Sequence, residues 1–161
     1  MSQDEQLPVV TVCVATFNQA QYIERCIQSV FTQDAVANGL LNVEVIVGDD
    51  CSNDATSIVL GELKKNYGAS LIVVRHELNV GPARNYLSIL SRATGDYIAH
   101  LDGDDYWERG KLGMQIEFLS QHLDSEAVCA NARVVNKDEV ECGIFTNIKS
   151  RTVDLDYLVA S

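Results

Sequence analysis

Three carboxylates fall within four positions at Asp102-Gly103-Asp104-Asp105, directly after the mostly apolar run Ile98-Ala99-His100-Leu101. Like charges this close repel one another unless something positive sits among them. A hard divalent cation, which prefers oxygen ligands, supplies that charge. Gly103 lets the backbone turn sharply between the acids. An apolar run that stops abruptly in acid reads as a buried strand delivering carboxylates to its C-terminal end. The chemistry implied is a metal site at the mouth of a sheet, holding the phosphates of a nucleotide. A solvated turn or a helix N-cap is the competing reading of an acidic triplet on its own.

The elements that must position these acids follow from the rest of the chain. Residues 9–15 are β-branched and continuous, as in a central strand buried on both faces, and end at Thr16-Phe17-Asn18. Asn18 is placed to start a helix over 19–33 that carries Ile23, Ile27, Val30 and Phe31 on one stripe. Residues 34–42 read as a loop. A strand at 43–47 stops in Gly48-Asp49-Asp50, so a strand again ends in paired acids. Ser52, Asn53 and Asp54 offer caps for a helix over 54–67 with Ile58, Val59 and Leu63 inward, closed by Gly68. A strand at 71–75 follows. Pro82 then opens a helix over 82–93, with Ala83, Tyr86, Leu87 and Leu90 on one side. The acid-delivering strand is 96–101. A helix at 108–122 carries Leu112, Ile116, Phe118 and Leu119. A short strand is expected at 127–130, continued by 132–135 after a kink, then a turn at 136–139. Residues 153–158 could begin a helix.

Strands alternating with helices predict an α/β fold, a three-layer α/β/α arrangement around a mainly parallel sheet. Ligands of such sheets bind outside the carboxyl ends of the strands. Thr16, Asp49, Asp50 and Asp102 to Asp105 all belong to that edge.

The 161 residues suit one domain, and 47% hydrophobic with 22% charged residues is ordinary for a globular protein. The net charge of -11 argues against nucleic acid and against an anionic membrane surface as partners. Five cysteines at long spacings, without a Cys-x-x-Cys pair, argue against a zinc site or a disulfide framework. Cys13, Cys26 and Cys129 read as small core residues, which suits a reducing cytoplasm. No apolar run approaches the roughly 18 residues that span a bilayer, and the acidic start is unlike a signal peptide. His76 and His100 have no partner at metal-site spacing, and Trp107 reads as core.

Several nucleotide motifs are absent. The first strand is followed by Ala15-Thr16-Phe17-Asn18-Gln19-Ala20, not by a Gly-x-Gly-x-x-Gly turn, and no glycine-rich loop ends in Gly-Lys-Ser/Thr. An EF-hand beginning at Asp102 needs Glu where Gly113 stands. A Gly-x-Ser-x-Gly elbow is also missing.

Four ordered blocks, however, resemble the N-terminal part of a family 2 glycosyltransferase. They are residues 10–33 (VTVCVATFNQAQYIERCIQSVFTQ), 43–56 (VEVIVGDDCSNDAT), 79–107 (NVGPARNYLSILSRATGDYIAHLDGDDYW) and the helix and strand of 111–135. The resemblance implies the GT-A nucleotide-sugar-binding fold. By position it implies that Thr16 and Asn18 line the nucleotide pocket, and that Asp50, beside Asp49, hydrogen-bonds the nucleobase. Arg84 then lies near the nucleotide. Asp102, Gly103 and Asp104 resemble the DxD motif, with Asp104 as direct ligand of Mn²⁺ or Mg²⁺ and Asp102 nearer the ribose. A structural reading of Arg84, as an ion-pair partner of Asp102 or Asp104, stays open beside this.

The resemblance implies inverting transfer from a nucleotide-diphosphate sugar, a UDP-sugar first, to a hydroxyl of a glycan or lipid-linked glycan in cell-surface polysaccharide synthesis. The general base of such enzymes lies in a later Glu-Asp block. No such block occurs in residues 136–161, where Asp154 and Asp156 sit in a helix-like setting. The expectation is therefore a single donor-binding domain over 1–161, with the acceptor part and the base outside it. A longer form would sit at the inner face of the membrane, and exposed apolar surface would favour a homodimer. A non-catalytic metal-nucleotide-binding module is the alternative. A signalling receiver domain fits less well, because its acid pair would follow the first strand.

Overall fold

The computed structural model describes residues 6–136 and 138–145. Two compact units are present, one up to Glu117 and one from Phe118 onward.

The first unit is built on four parallel strands: β1 (Val9–Thr16), β2 (Asn42–Asp49), β3 (Leu71–Arg75) and β4 (Tyr97–Asp102), in the order β3-β2-β1-β4. β1 is central and its Val10, Val12, Cys13 and Val14 are all buried, as the largely β-branched run requires. α1 (Ile23–Phe31) and α3 (Thr56–Tyr67) cover one face, where Ile23, Ile27, Val30, Leu60 and Leu63 join Val12, Val14, Val45 and Val47. α4 (Pro82–Leu90) covers the other, where Ile89 meets Cys13 and Ile46. The layering is α/β/α. Truncating a side chain as buried as Ile27 to Ala would cost about 2–5 kcal/mol.

The sequence reading is corrected in several places. α1 starts at Ile23, not near residue 19, because Asn18 does not cap it. Asn18 adopts a left-handed φ of 55°, and the N–H groups of residues 18–20 are spent on the neighbouring loop. Within the expected loop, Asp34–Ala37 form a one-turn helix, α2. Its register is set by the buried Gln33, whose carbonyl accepts the N–H groups of Val36 and Ala37. On α3, Ile58 faces solvent and Leu60 with Leu63 face in. On α4 the buried residues are Asn85 and Ile89, the expected Tyr86 and Leu90 are half-buried against the same cluster, and Ala83 and Leu87 are exposed. The cause is a polar anchor: Asn85 Nδ2 donates to the Gly48 carbonyl at 2.8 Å and turns the helix onto that face.

α5 (Lys111–Gln121) begins in the first unit with Leu112 buried, and Trp107 is core as expected. In the second unit no strand forms at 127–130, and Cys129 is exposed. β5 (Arg133–Val135) instead pairs antiparallel with β6 (Glu141–Ile144). Asn136 favours this hairpin, because its Oδ1 accepts the N–H groups of Asp138 and Val140 at 2.9 and 3.0 Å. The helix expected at 153–158, with Asp154 and Asp156, lies outside the described residues.

Candidate functional site

β1 carries the site. Its strand register sets Ala15 beside Asp102 of β4, and Thr16 beside Asp49 of β2. Consecutive carbonyls then hold the two acid loops. Ala15 O accepts the Gly103 N–H at 3.0 Å, and Thr16 O accepts the Asp50 N–H at 3.0 Å. Thr16, Asp49, Asp50, Asp102 and Gly103 are thereby gathered at one sheet edge, as the topology predicts.

The loop after β1 is tied to the loop after β2 by side chains of both. Asn18 N–H donates to Ser52 Oγ at 2.9 Å, and Asn18 Oδ1 accepts the Asn53 N–H at 2.8 Å. Gln19 N–H donates to Thr56 Oγ1 at 2.9 Å, and Ala20 N–H to Asp54 Oδ2 at 3.1 Å. Asp54 also accepts from the Thr56 hydroxyl and N–H, so the start of α3 is stapled by Asp54. Hydrogen bonds, the Thr56 hydroxyl foremost, hold the Asp54 carboxyl below its ordinary range against a smaller push from burial. Phe17, between these ties, is 44% exposed.

The paired acids divide in role. Asp49 is fully buried. Its Oδ1 accepts the Ser52 N–H at 2.9 Å, its Oδ2 has no hydrogen bond, and Arg75 Nε stands 3.6 Å away. A cavity of about 230 Å³, lined by Ser57, Lys64 and Arg75 among others, adjoins it. This carboxylate shapes the loop after β2. Asp50, 2% exposed, reaches across to the segment before α4, accepting the N–H groups of Val80 and Gly81 at 2.7 and 2.9 Å. It thus sets where α4 begins. Arg84, in the first turn of α4, is exposed and forms no ion pair with Asp102 or Asp104.

Gly103 is required by space. A Cβ there would meet Gln19 Oε1 at 2.5 Å, Thr16 Cβ at 2.8 Å and Thr16 Oγ1 at 2.9 Å. The Thr16 hydroxyl itself donates to Gln19 Oε1 at 2.8 Å. Asp102, Asp104 and Asp105 are exposed around this tight glycine. Partial burial, then the charges of Asp104 and Asp102, raise the Asp105 carboxyl above its ordinary range, against a smaller opposite pull from His100. Behind them, burial raises the Cys26 thiol strongly, and Asp105, Asp104 and Asp102 add to it. That thiol donates to the Asp102 carbonyl at 3.5 Å and is inert packing.

One participant was missed in the sequence. His100 Nε2 lies 3.1 Å from Asp102 Oδ1. The signal was the i, i+2 spacing, which puts both side chains on one face of a strand.

Does the donor set fit a divalent cation? Among the described residues no three acidic, histidine or cysteine side chains converge into a cage. Mg²⁺ typically uses one or two carboxylates and completes its shell with water and substrate phosphates. The exposed oxygens of Asp102 and Asp104 meet that requirement in number and hardness, for a cation that arrives with a diphosphate.

An open parallel sheet with acid loops gathered at its carboxyl edge defines an α/β domain of the class whose ligands bind at that edge. Residues 11–155 match the family model described as glycosyl transferase family 2, and the chain belongs to that family. The putative teichuronic acid biosynthesis glycosyltransferase TuaG of Bacillus subtilis is 37% identical over 114 residues, covering 71% of this chain and 43% of TuaG. S. aureus TarS 1-349 in complex with UDP superposes with a TM-score of 0.62 at 26% identity, over 78% of this chain and 41% of that one. The mannosyltransferase PcManGT from Pyrobaculum calidifontis, in complex with GDP-Man and Mn²⁺, superposes with a TM-score of 0.63 at 28% identity, over 72% and 33%. The chain spans less than half the length of each of these relatives. The fold is therefore GT-A, as the four ordered blocks imply. No helix among the described residues is long and apolar enough to cross a membrane.

Proposed function

We propose that this chain is the donor-binding part of a metal-dependent inverting glycosyltransferase that uses a UDP-sugar to extend a cell-surface glycan or lipid-linked glycan. The observation that carries the reading is the joint hold of β1 on both acid loops, through the Ala15 and Thr16 carbonyls. It brings a base-side acid, Asp50, and a phosphate-side pair, Asp102 and Asp104, to opposite flanks of one strand end. TarS with UDP and PcManGT with GDP-Man and Mn²⁺ support a nucleotide and a divalent cation as ligands of this fold.

In this reading each Asp50 oxygen keeps a second lone pair for a nucleobase N–H. Phe17 offers an exposed aromatic face against the base. Thr16, Asn18 and Gly103 line the pocket, and Asp49 holds its loop. Asp102 lies nearer the ribose and joins Asp104, the more direct ligand, in holding Mn²⁺ or Mg²⁺, and Arg84 faces the diphosphate. A bound cation there would neutralise charge on the leaving diphosphate as a Lewis acid. In transfer, the acceptor hydroxyl oxygen bonds to the anomeric carbon while the bond from that carbon to the diphosphate breaks. A carboxylate base outside the described residues takes the hydroxyl proton. The enzyme works in the cytoplasm, at the membrane face where such acceptors reside.

Calorimetric titration of UDP into the protein with Mn²⁺, then with chelator, tests the site. Saturable binding that needs metal and is lost in Asp104→Ala supports it. Binding indifferent to metal removes the DxD role. A folded protein that takes up no nucleoside diphosphate overturns the reading. Acceptor-dependent nucleotide release then separates a transferase from a binding module.

A further inference from the structure

Asp102 is more than half exposed, so its carboxylate has room to rotate. His100 restrains it. Residues 100 and 102 share a face of β4, and Nε2 of one reaches Oδ1 of the other at 3.1 Å. The imidazole is itself restrained, because Tyr86 of α4 meets it edge-on, with centroids 4.8 Å apart and an interplanar angle of 81°. α4 in turn is anchored to β2 by the bond from Asn85 to Gly48. A line of contacts thus runs from β2 through α4 and His100 to the first acid of the DxD motif.

Resting on the donor-site reading above, we propose that His100 is a positioning residue for Asp102. Its Nε2–H donates to Oδ1 and leaves Oδ2 for the metal-bound nucleotide. Outer partners that fix the orientation of a ligating carboxylate raise its affinity without touching the ligand. Because the pair is half exposed, the effect falls at the low end of such contributions. Neither the carboxylate nor the ring needs to change charge for this to work.

Two variants and one spectrum test it. His100→Phe keeps a ring against Tyr86 and removes the donor. His100→Gln keeps a donor of similar reach. Mn²⁺ affinity in the presence of UDP, followed by the electron paramagnetic resonance of free Mn²⁺, should weaken about three- to tenfold in His100→Phe, at an unchanged thermal midpoint. His100→Gln should recover most of it. Equal affinity in wild type and His100→Phe overturns the proposal alone, and so does a Gln variant as weak as the Phe variant. Wild-type protein without metal-dependent UDP uptake overturns the donor site and the proposal together. Independently of any variant, imidazole ¹⁵N shifts of the neutral tautomer should show the proton on Nε2. A proton on Nδ1 overturns it.

Discussion

Asn85 and Gly48 fit each other without spare room. The Asn85 amide donates to the Gly48 carbonyl at 2.8 Å, and a methyl group at Gly48 would overlap Asn85 Oδ1 while lying 3.0 Å from Asn85 Cγ and Ile89 Cγ2. Asn85 cannot retreat without giving up its one bond to β2. Gly48→Ala should therefore destabilise the protein by about 1–3 kcal/mol, as overpacking does. The check is a lower urea midpoint at an unchanged m-value.

The Asp50 carboxylate receives two backbone N–H groups, and a carboxamide can accept on one side only. Asp50→Asn should release either Val80 or Gly81, at a cost of about 1–3 kcal/mol for a buried donor left unpaired. Hydrogen exchange reads this directly. The amides of Val80 and Gly81 should exchange faster in the variant, while those of β1 stay protected. Unchanged exchange at both would show that the carboxylate does not hold the start of α4.

Gly103→Ala pushes a methyl group into Thr16 and Gln19. Gln19 can move its terminal amide, but Thr16 sits at the end of the central strand, so the acid loop must shift. The expected result is a loss of at least about tenfold in metal-dependent UDP affinity by calorimetry, since misplaced ligating groups commonly cost that much. Wild-type affinity would show that the close approach of this loop to β1 is dispensable.

At the opposite end of the sheet, Glu44 accepts the Thr11 hydroxyl at 2.5 Å and both the N–H and hydroxyl of Thr94 at 2.9 Å. Burial pushes this carboxyl up, but the three hydrogen bonds together hold it below its ordinary value of 4.5. A carboxyl depressed by folding contributes stability that is complete above the ordinary value and is lost as pH falls through the folded value. The wild type should therefore lose stability from this site as pH drops below about 4.5. Glu44→Gln should be less stable at neutral pH, with a shallower fall in denaturation midpoint across the same window. Parallel pH profiles for the two proteins would exclude this latch.

The strands and their acid termini were legible in the sequence because burial and chemistry share one signal there. β1 is mostly β-branched since both faces are covered, and β2 and β4 change from apolar to acidic at the carboxyl edge of the sheet. Positions defined by a single distant hydrogen bond were not legible. Asn18 has the composition of a cap, yet Ser52 and Asn53 recruit it to another loop. Gln33 resembles any polar helix end, but it is buried. Its amide donates to Ser29 O and Glu108 O and accepts from Leu112 N–H. Asn85 likewise rotated the inward face of α4, so that Tyr86 and Leu90 still pack against the sheet while Ala83 and Leu87 do not, since periodicity scores apolar residues and is blind to a buried amide. At the candidate site, the acids were legible as a group. Their division of labour was not, because Asp49 and Asp50 are both buried and differ only in what the fold brings to them.

The grip of β1 on the two acid loops is made entirely of main chain, through the carbonyls of Ala15 and Thr16. Shape and charge are therefore separable on the β4 flank of this edge. Acids can be exchanged at positions 102 and 104 without moving the loops that present them. A single-residue insertion in β1 would instead pass both loops to the wrong carbonyls and disarm the two flanks together. Variation of charge at positions 102 and 104 is cheap in this architecture, and variation of length in its central strand is not.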